Sequence, residues 1–149
     1  MAVLEAVGLG LLSGAIGTIA LTVAERAEMA LTGRSASMVP GQVGAKLSGR
    51  DPDGEPELVE RLNPIVHWAH GIALGAIRGL LDLAGLGALA ATLVFYALVW
   101  GGDAGLYRAL GIAPAPWRWK PSELAADLFG KGVLAIATSV AYILLDKAI

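Results

Sequence analysis

Histidine and carboxylate side chains recur at helical spacing inside stretches that are otherwise apolar. The candidate site residues are Glu25, Glu28, His67, His70, Asp103 and Asp127. The two glutamates are three residues apart, and so are the two histidines, so each pair lies on one face of a helix. Imidazole and carboxylate are ligands for Zn, Mn or Fe in helical bundles, and inside a membrane they also relay protons or cations. The residue types therefore predict either a divalent-metal site or a relay for protons or a small cation.

A plainer interpretation of the same residues stays open. The acids and histidines could lie at the headgroup level of a membrane, partly hydrated, without any ligand. Asp127 and Lys131 are four residues apart and could simply form an ion pair along one helix. His67 precedes a row of glycines by one turn, so it could serve only to hydrogen-bond a neighbouring helix.

The composition indicates what must hold these side chains. Of the 149 residues, 56% are hydrophobic and only 16% are charged, and the mean hydropathy is +0.65. A soluble domain of this size needs a larger polar surface, whereas apolar runs approaching ~20 residues suit a bilayer. The lipid bilayer is therefore the expected partner.

Four segments are candidates for membrane spans. We expect transmembrane helices at about residues 3–31, 64–82, 84–110 and 121–147, with a polar cytoplasmic loop over residues 32–63. The last segment carries charges at Glu123, Asp127 and Lys131, but this spacing puts them on one face that can point into a bundle. The predicted fold is all-α, a polytopic membrane protein forming a four-transmembrane-helix bundle in a single domain.

Proline and glycine suggest the helix ends. Asn63 followed by Pro64 predicts the start of the second span, and Pro121 after Lys120 predicts the start of the fourth. Gly33 predicts the end of the first helix. Within the polar loop, residues 41–47 and 56–62 could form short surface helices.

Positive charge predicts the orientation. The side of the membrane that holds the two longer connections, here the loop side, carries most of the cations: Arg26, Arg34, Lys46, Arg50, Arg61, Arg108, Arg118 and Lys120. The positive-inside rule then makes this side cytoplasmic, with both termini outside the cytoplasm. An up-and-down arrangement of the helices gathers the candidate site residues at the loop side.

Small residues mark the faces that should pack. One face of the first helix carries Gly10, Gly14 and Gly17, and the second carries a ridge of Gly71, Gly75 and Gly79. Such faces turn towards other helices in lipid because they let backbones approach closely. We expect packing within the bundle, while a homo-oligomer or a partner in a larger membrane complex stays open.

Several classes of function find no support in the sequence. The chain has no cysteine, a formal charge of −2 and no basic stretch of the kind that binds nucleic acid. It also lacks a serine–histidine–acid set, a phosphate-binding loop motif and a dinucleotide-binding glycine motif. Catalysis of the kind seen in soluble enzymes is therefore not predicted.

Short motifs along the chain resemble a known group of proteins. The motifs are Gly17-Thr18 through Glu28-Met29, Thr32 to Ser37 before Pro40, His70 with Gly71 and Gly75, and Pro116-Trp117-Arg118 to Asp127. They resemble small uncharacterised multi-pass membrane proteins of actinobacteria and, more distantly, YagU-type inner-membrane proteins. The resemblance implies an inner-membrane location and no established activity, and it carries over no functional residue.

Overall fold

The computed structural model describes residues 2–148, and over these residues the protein is helical without any β-strand. The elements are α1 (Val3–Thr32), α2 (Val39–Leu47), α3 (Pro56–Leu83), α4 (Ala88–Ala109), a short 3₁₀ helix (Pro116–Arg118) and α5 (Pro121–Asp146). The prediction of an all-α fold is confirmed. Gly33 ends α1 in the left-handed conformation, with φ of 72°, as its position predicts.

Helices α1 and α3 run antiparallel and pack closely along a seam of glycines. A Cβ added at Gly10 would overlap the carbonyl oxygen of Gly75, and one added at Gly75 would overlap that of Gly10. The same seam continues in both directions through the pairs Ala6–Gly79, Gly14–Gly71, Thr18–Gly71 and Thr22–His67. The two backbones touch over several turns, and only glycine allows this approach.

Helix α5 packs on another face of α1, and α4 packs on α5. A Cβ at Gly17 would overlap the hydroxyl of Thr138 on α5. The buried centre between α4 and α5 consists of Phe95, Val99, Leu134 and Ala135. Leu21 of α1 and Leu74, Ile77 and Leu81 of α3 pack against this centre. The helices therefore neighbour each other in the order α3, α1, α5, α4, and α3 makes fewer contacts with α4 and α5.

The start of α3 differs from the prediction. The helix begins at Pro56, so Pro64 lies inside it and Asn63 is not its N-cap. The Asn63 amide instead holds the preceding segment, because its Oδ1 accepts from the Gly41 N–H at 2.9 Å and its Nδ2 donates to the Ser37 carbonyl at 3.1 Å. Helix α2 packs on this extension of α3, so the contacts between α2 and α3 offset the hydrogen bond that Pro64 cannot make.

The outer surface of the bundle is apolar. In the described part of the chain, three helices are long and apolar enough to cross a membrane: Val3–Thr32, Ala88–Ala109 and Pro121–Asp146. Large hydrophobic side chains on these helices are largely exposed, for example Val23 at 63% and Ile136 at 61%. So much apolar surface is unfavourable in water and favourable in lipid. Helix α3 is not among the three, since its histidines, Arg78 and charged first turns lower its hydropathy.

Candidate functional site

Four ionisable side chains connect α3, α4 and α5 in the interior of the bundle. His70 Nε2 lies 2.7 Å from Asp103 Oδ1, and Lys131 Nζ lies 3.5 Å from Asp103 Oδ2. The same ammonium lies 2.5 Å from Asp127 Oδ1, so the predicted ion pair between Asp127 and Lys131 is formed. We call His70, Asp103, Lys131 and Asp127 the polar chain.

The polar chain is buried at its centre and more accessible at its ends. The side chains of Asp103 and Lys131 are 8% and 11% exposed, whereas that of His70 is 41% exposed. The packing of α3 against α1 sets the position of His70 along the bundle, and the packing of α4 on α5 brings Asp103 close to Lys131. The centre therefore lies in a medium of low polarity, where each charge depends strongly on its neighbours.

Further groups surround the polar chain. Lys131 Nζ lies 5.3 Å from the centre of the Tyr107 ring, which stabilises the ammonium. The hydroxyl of Tyr96 donates to the Leu128 carbonyl at 3.0 Å and ties α4 to α5 one turn before Lys131. Asp127 Oδ2 is buried and has no hydrogen-bond partner among residues 2–148. That oxygen leaves an unused acceptor at the end of the chain.

The other three candidate residues take separate partners. His67 Nε2 lies 3.0 Å from the Thr22 hydroxyl on α1. Glu28 pairs with Arg34 at 2.7 Å, and this hydrogen bond raises the pKa of the Arg34 guanidinium above its usual value. Glu25 lies on α1 against Gly130 of α5, close enough to interact electrostatically with the Lys131 and Asp127 charges. The six candidates thus gather at one end of the bundle without forming one cluster.

The geometry does not assemble a metal site. Within residues 2–148, no three histidine, aspartate or glutamate side chains come close enough together to hold a metal ion. The carboxylates of the polar chain are instead neutralised by Lys131 and by His70 when it is protonated.

Sequence reasoning left Arg78 out of the candidate site. This side chain is fully buried, its Nε donates to Ser139 Oγ at 3.2 Å, and its guanidinium lies 4.8 Å from the centre of the Tyr142 ring. Nη1 lies 3.6 Å from Asp82 Oδ1, and neither Nη1 nor Nη2 has a hydrogen-bond partner among the described residues. The four-residue spacing of Arg78 and Asp82 was the available signal, because it places them one turn apart on one face.

The role of Lys131 was also only partly predicted. Its partner on its own helix follows from spacing, but its contact with Asp103 requires α4 and α5 to be neighbours, which helical periodicity does not specify.

Comparison of the chain with protein-family models, with curated proteins and with solved structures found no match in any of the three.

Proposed function

We propose that the protein is a small transmembrane bundle that handles protons, or a small cation, through the polar chain. The observation that carries the proposal is the unbroken run of contacts from His70 through Asp103 and Lys131 to Asp127, which links three helices of the bundle. Ionisable groups inside a membrane are costly, and those that are kept mark ion pathways and proton relays.

The charges of the polar chain favour a role in binding and releasing a proton over a purely structural role. Two carboxylates face one ammonium, so the chain carries one net negative charge when His70 is neutral. Protonation of His70 cancels that charge beside Asp103, at 2.7 Å. Imidazole gains and loses a proton readily near neutral pH. Glu25 on α1 and Tyr107 on α4 are the further titratable groups that face the chain.

Exposure along the polar chain supports exchange with the surroundings. The His70 side chain reaches the surface of the bundle, while Asp103 and Lys131 are shielded. The unpartnered Oδ2 of Asp127 offers a second acceptor at the far end. A proton or small cation arriving at His70 would therefore find carboxylate oxygens at both ends of the buried ammonium.

The proposal includes α3 as a fourth membrane span. Its seam with α1 runs from Ala6 against Gly79 to Thr22 against His67, and α1 is itself long and apolar enough to cross a membrane. A helix in backbone contact with a spanning helix over this length lies at the same depth in the bilayer. Its polar groups face α1, α4 and α5, and Ile65 is among the side chains it leaves exposed.

The proposal also places the loop side in the cytoplasm of a bacterial inner membrane, with both termini outside. The excess of arginine and lysine on the loop side supports this orientation. Because the chain has no cysteine, single cysteines at Asp53 and Ala148 report on opposite sides. We expect an impermeant thiol reagent applied to intact cells to label Ala148→Cys and not Asp53→Cys; the reverse labelling would overturn the orientation. Membership of the actinobacterial or YagU-type group stays a prediction.

Proton flux in proteoliposomes tests the function. A potassium diffusion potential drives protons inward, and an enclosed pH-sensitive dye reports their entry. We expect wild-type protein to exceed protein-free liposomes and Asp103→Asn to fall to their level, because the amide cannot carry the charge that links His70 to Lys131.

The matched control is Asp51→Asn in the exposed loop between α2 and α3, which should conduct like wild type. Equal flux in wild type and Asp103→Asn, or no wild-type flux above protein-free liposomes under proton or sodium gradients, would remove the proposal.

A further inference from the structure

A second polar site lies at the loop side, between the end of α4 and the start of α5. A cavity of about 210 Å³ opens there. It is lined by Arg108, Pro114, Ala115, Trp117 and Arg118. This cavity is separate from the polar chain, so the inference drawn from it does not depend on proton handling.

Hydrogen bonds hold the cavity walls in place. The indole Nε1 of Trp119 donates to the Pro114 carbonyl at 2.7 Å. The Ile112 N–H donates to the Tyr107 carbonyl at 2.9 Å, which turns the chain out of α4. Ala115 is buried beneath the loop. The cavity is therefore part of an ordered connection between two helices.

The cations at this cavity are available to a ligand. Among residues 2–148, Arg108, Arg118 and the adjacent Lys120 form no ion pair, whereas Arg34 and Arg50 on the same side each pair with a glutamate. No acidic side chain lines the cavity. Two guanidinium groups without a carboxylate partner favour a phosphate, which arginine binds with paired hydrogen bonds.

An exposed tryptophan specifies where that phosphate comes from. Trp117 is 77% exposed, and the Arg108 guanidinium lies 5.9 Å from the centre of its ring. Tryptophan is favoured at the boundary between headgroups and acyl chains. The cavity lies between the ends of two helices that are apolar enough to cross a membrane, which is the level of the headgroups.

We propose that this cavity binds the headgroup of an anionic phospholipid, with Arg108 and Arg118 on the phosphate and Trp117 against the glycerol and upper acyl chains. Free phosphate would gain nothing from Trp117, so the lipid accounts for both the charge and the exposed ring. Clusters of arginine next to a membrane span recognise anionic lipids in this way.

Native mass spectrometry tests the site in the intact protein. Protein is released from nanodiscs that contain equal amounts of phosphatidylglycerol and phosphatidylcholine, and the lipid that remains bound is identified. We expect wild type to retain phosphatidylglycerol preferentially. Arg108→Gln with Arg118→Gln should reduce the preference about fivefold for each arginine, and Trp117→Ala should weaken retention without changing the charge.

The matched control is Lys46→Gln with Arg61→Gln, which removes two exposed cations from the same side at α2 and α3. A control that loses as much preference as the arginine variant would replace the site with a diffuse surface charge. Unchanged retention in the arginine variant would overturn the site altogether. Displacement of the lipid by added inorganic phosphate would overturn the lipid assignment in favour of a free-phosphate site.

Discussion

The two ends of the bundle treat a buried cation differently. At the loop side, Lys131 lies between two carboxylates, Asp103 and Asp127. Towards the termini, Arg78 is fully buried. Within residues 2–148 it has one hydrogen bond to Ser139, a loose contact with Asp82 at 3.6 Å and two nitrogens without hydrogen-bond partners. One cation is part of a network, while the other rests mainly against the face of Tyr142.

The difference shows which end depends on its charge. Removal of one member from a buried network strands the others in a medium of low polarity, which is costly. Removal of Arg78 should cost much less, because its nearest acid, Asp82, is 35% exposed and can be solvated once the cation is gone. We therefore expect the same substitution to destabilise the protein much more at the loop side than towards the termini.

The largest effect should come from replacing each cation with methionine. Lys131→Met leaves the Asp103 and Asp127 carboxylates without their shared ammonium, so the free energy of unfolding should fall by about 3–5 kcal/mol. Arg78→Met should change it by less than about 1 kcal/mol, since an apolar side chain of similar length replaces a poorly paired charge. Denaturation in mixed micelles by sodium dodecyl sulfate measures both. Equal losses would contradict the comparison.

A substitution in the α1–α3 seam tests whether helix packing, rather than charge pairing, sets the positions of the polar chain and of Arg78 along the bundle. Gly75→Ala puts a Cβ into the Gly10 carbonyl, so we expect a loss of about 1–3 kcal/mol. Gly101→Ala is the matched control, because a Cβ there meets nothing within 4 Å. A Gly75→Ala protein as stable as the control would show that the seam can relax. The contacts of the polar chain and of Arg78, rather than the seam, would then keep the helices in place.

A smaller effect is expected at Ser139. Ser139→Ala removes the one hydrogen bond made by the Arg78 guanidinium, which should cost about 1–2 kcal/mol. In the Arg78→Met background the same change should cost almost nothing. A similar loss in both backgrounds would mean that the hydroxyl acts through another contact. Unfolding of the four proteins supplies this double-mutant cycle.

The smallest effect concerns an ion pair outside the helical bundle. The Arg50 guanidinium hydrogen-bonds Glu55 and lowers the pKa of its carboxyl. A lowered pKa contributes stability that is present above the unfolded pKa of glutamate, about 4.3, and is lost as the pH falls through the folded value. Glu55→Gln should therefore be slightly less stable to unfolding than wild type at pH 7, and the two proteins should be equally stable in strong acid. A difference that grows on acidification would contradict this.

Helix limits were readable from the sequence where local chemistry decides them. Gly33 and Pro121 end and begin helices as predicted, because a left-handed cap and a fixed φ are properties of single residues. The start of α3 was not readable in this way. Asn63–Pro64 has the pattern of a helix start, but contacts of Asn63 with Gly41 and Ser37 hold a helix that continues through the proline.

The site was predictable only to the level of helix faces. Periodicity placed Asp127 and Lys131 on a face that can point into the bundle, but it does not state which helices are neighbours, so the meeting of Asp103 with Lys131 could not be derived. Glu28 was expected to join the cluster and instead pairs with Arg34, because Gly33 turns the chain back towards the end of α1. A charged residue just beyond a glycine cap was the signal for that pair.

The central claim is that His70 and Asp103 act as one unit in handling protons. The most direct test compares proton flux in liposomes for wild type, His70→Gln, Asp103→Asn and the double variant. Asp103→Asn alone is expected to abolish the flux, so His70→Gln is the deciding variant. Groups that act as a unit each cost as much as the pair, so the account predicts that His70→Gln falls to the same level as Asp103→Asn and the double variant. Substantial flux in His70→Gln would show a route that does not use His70 and contradict the account.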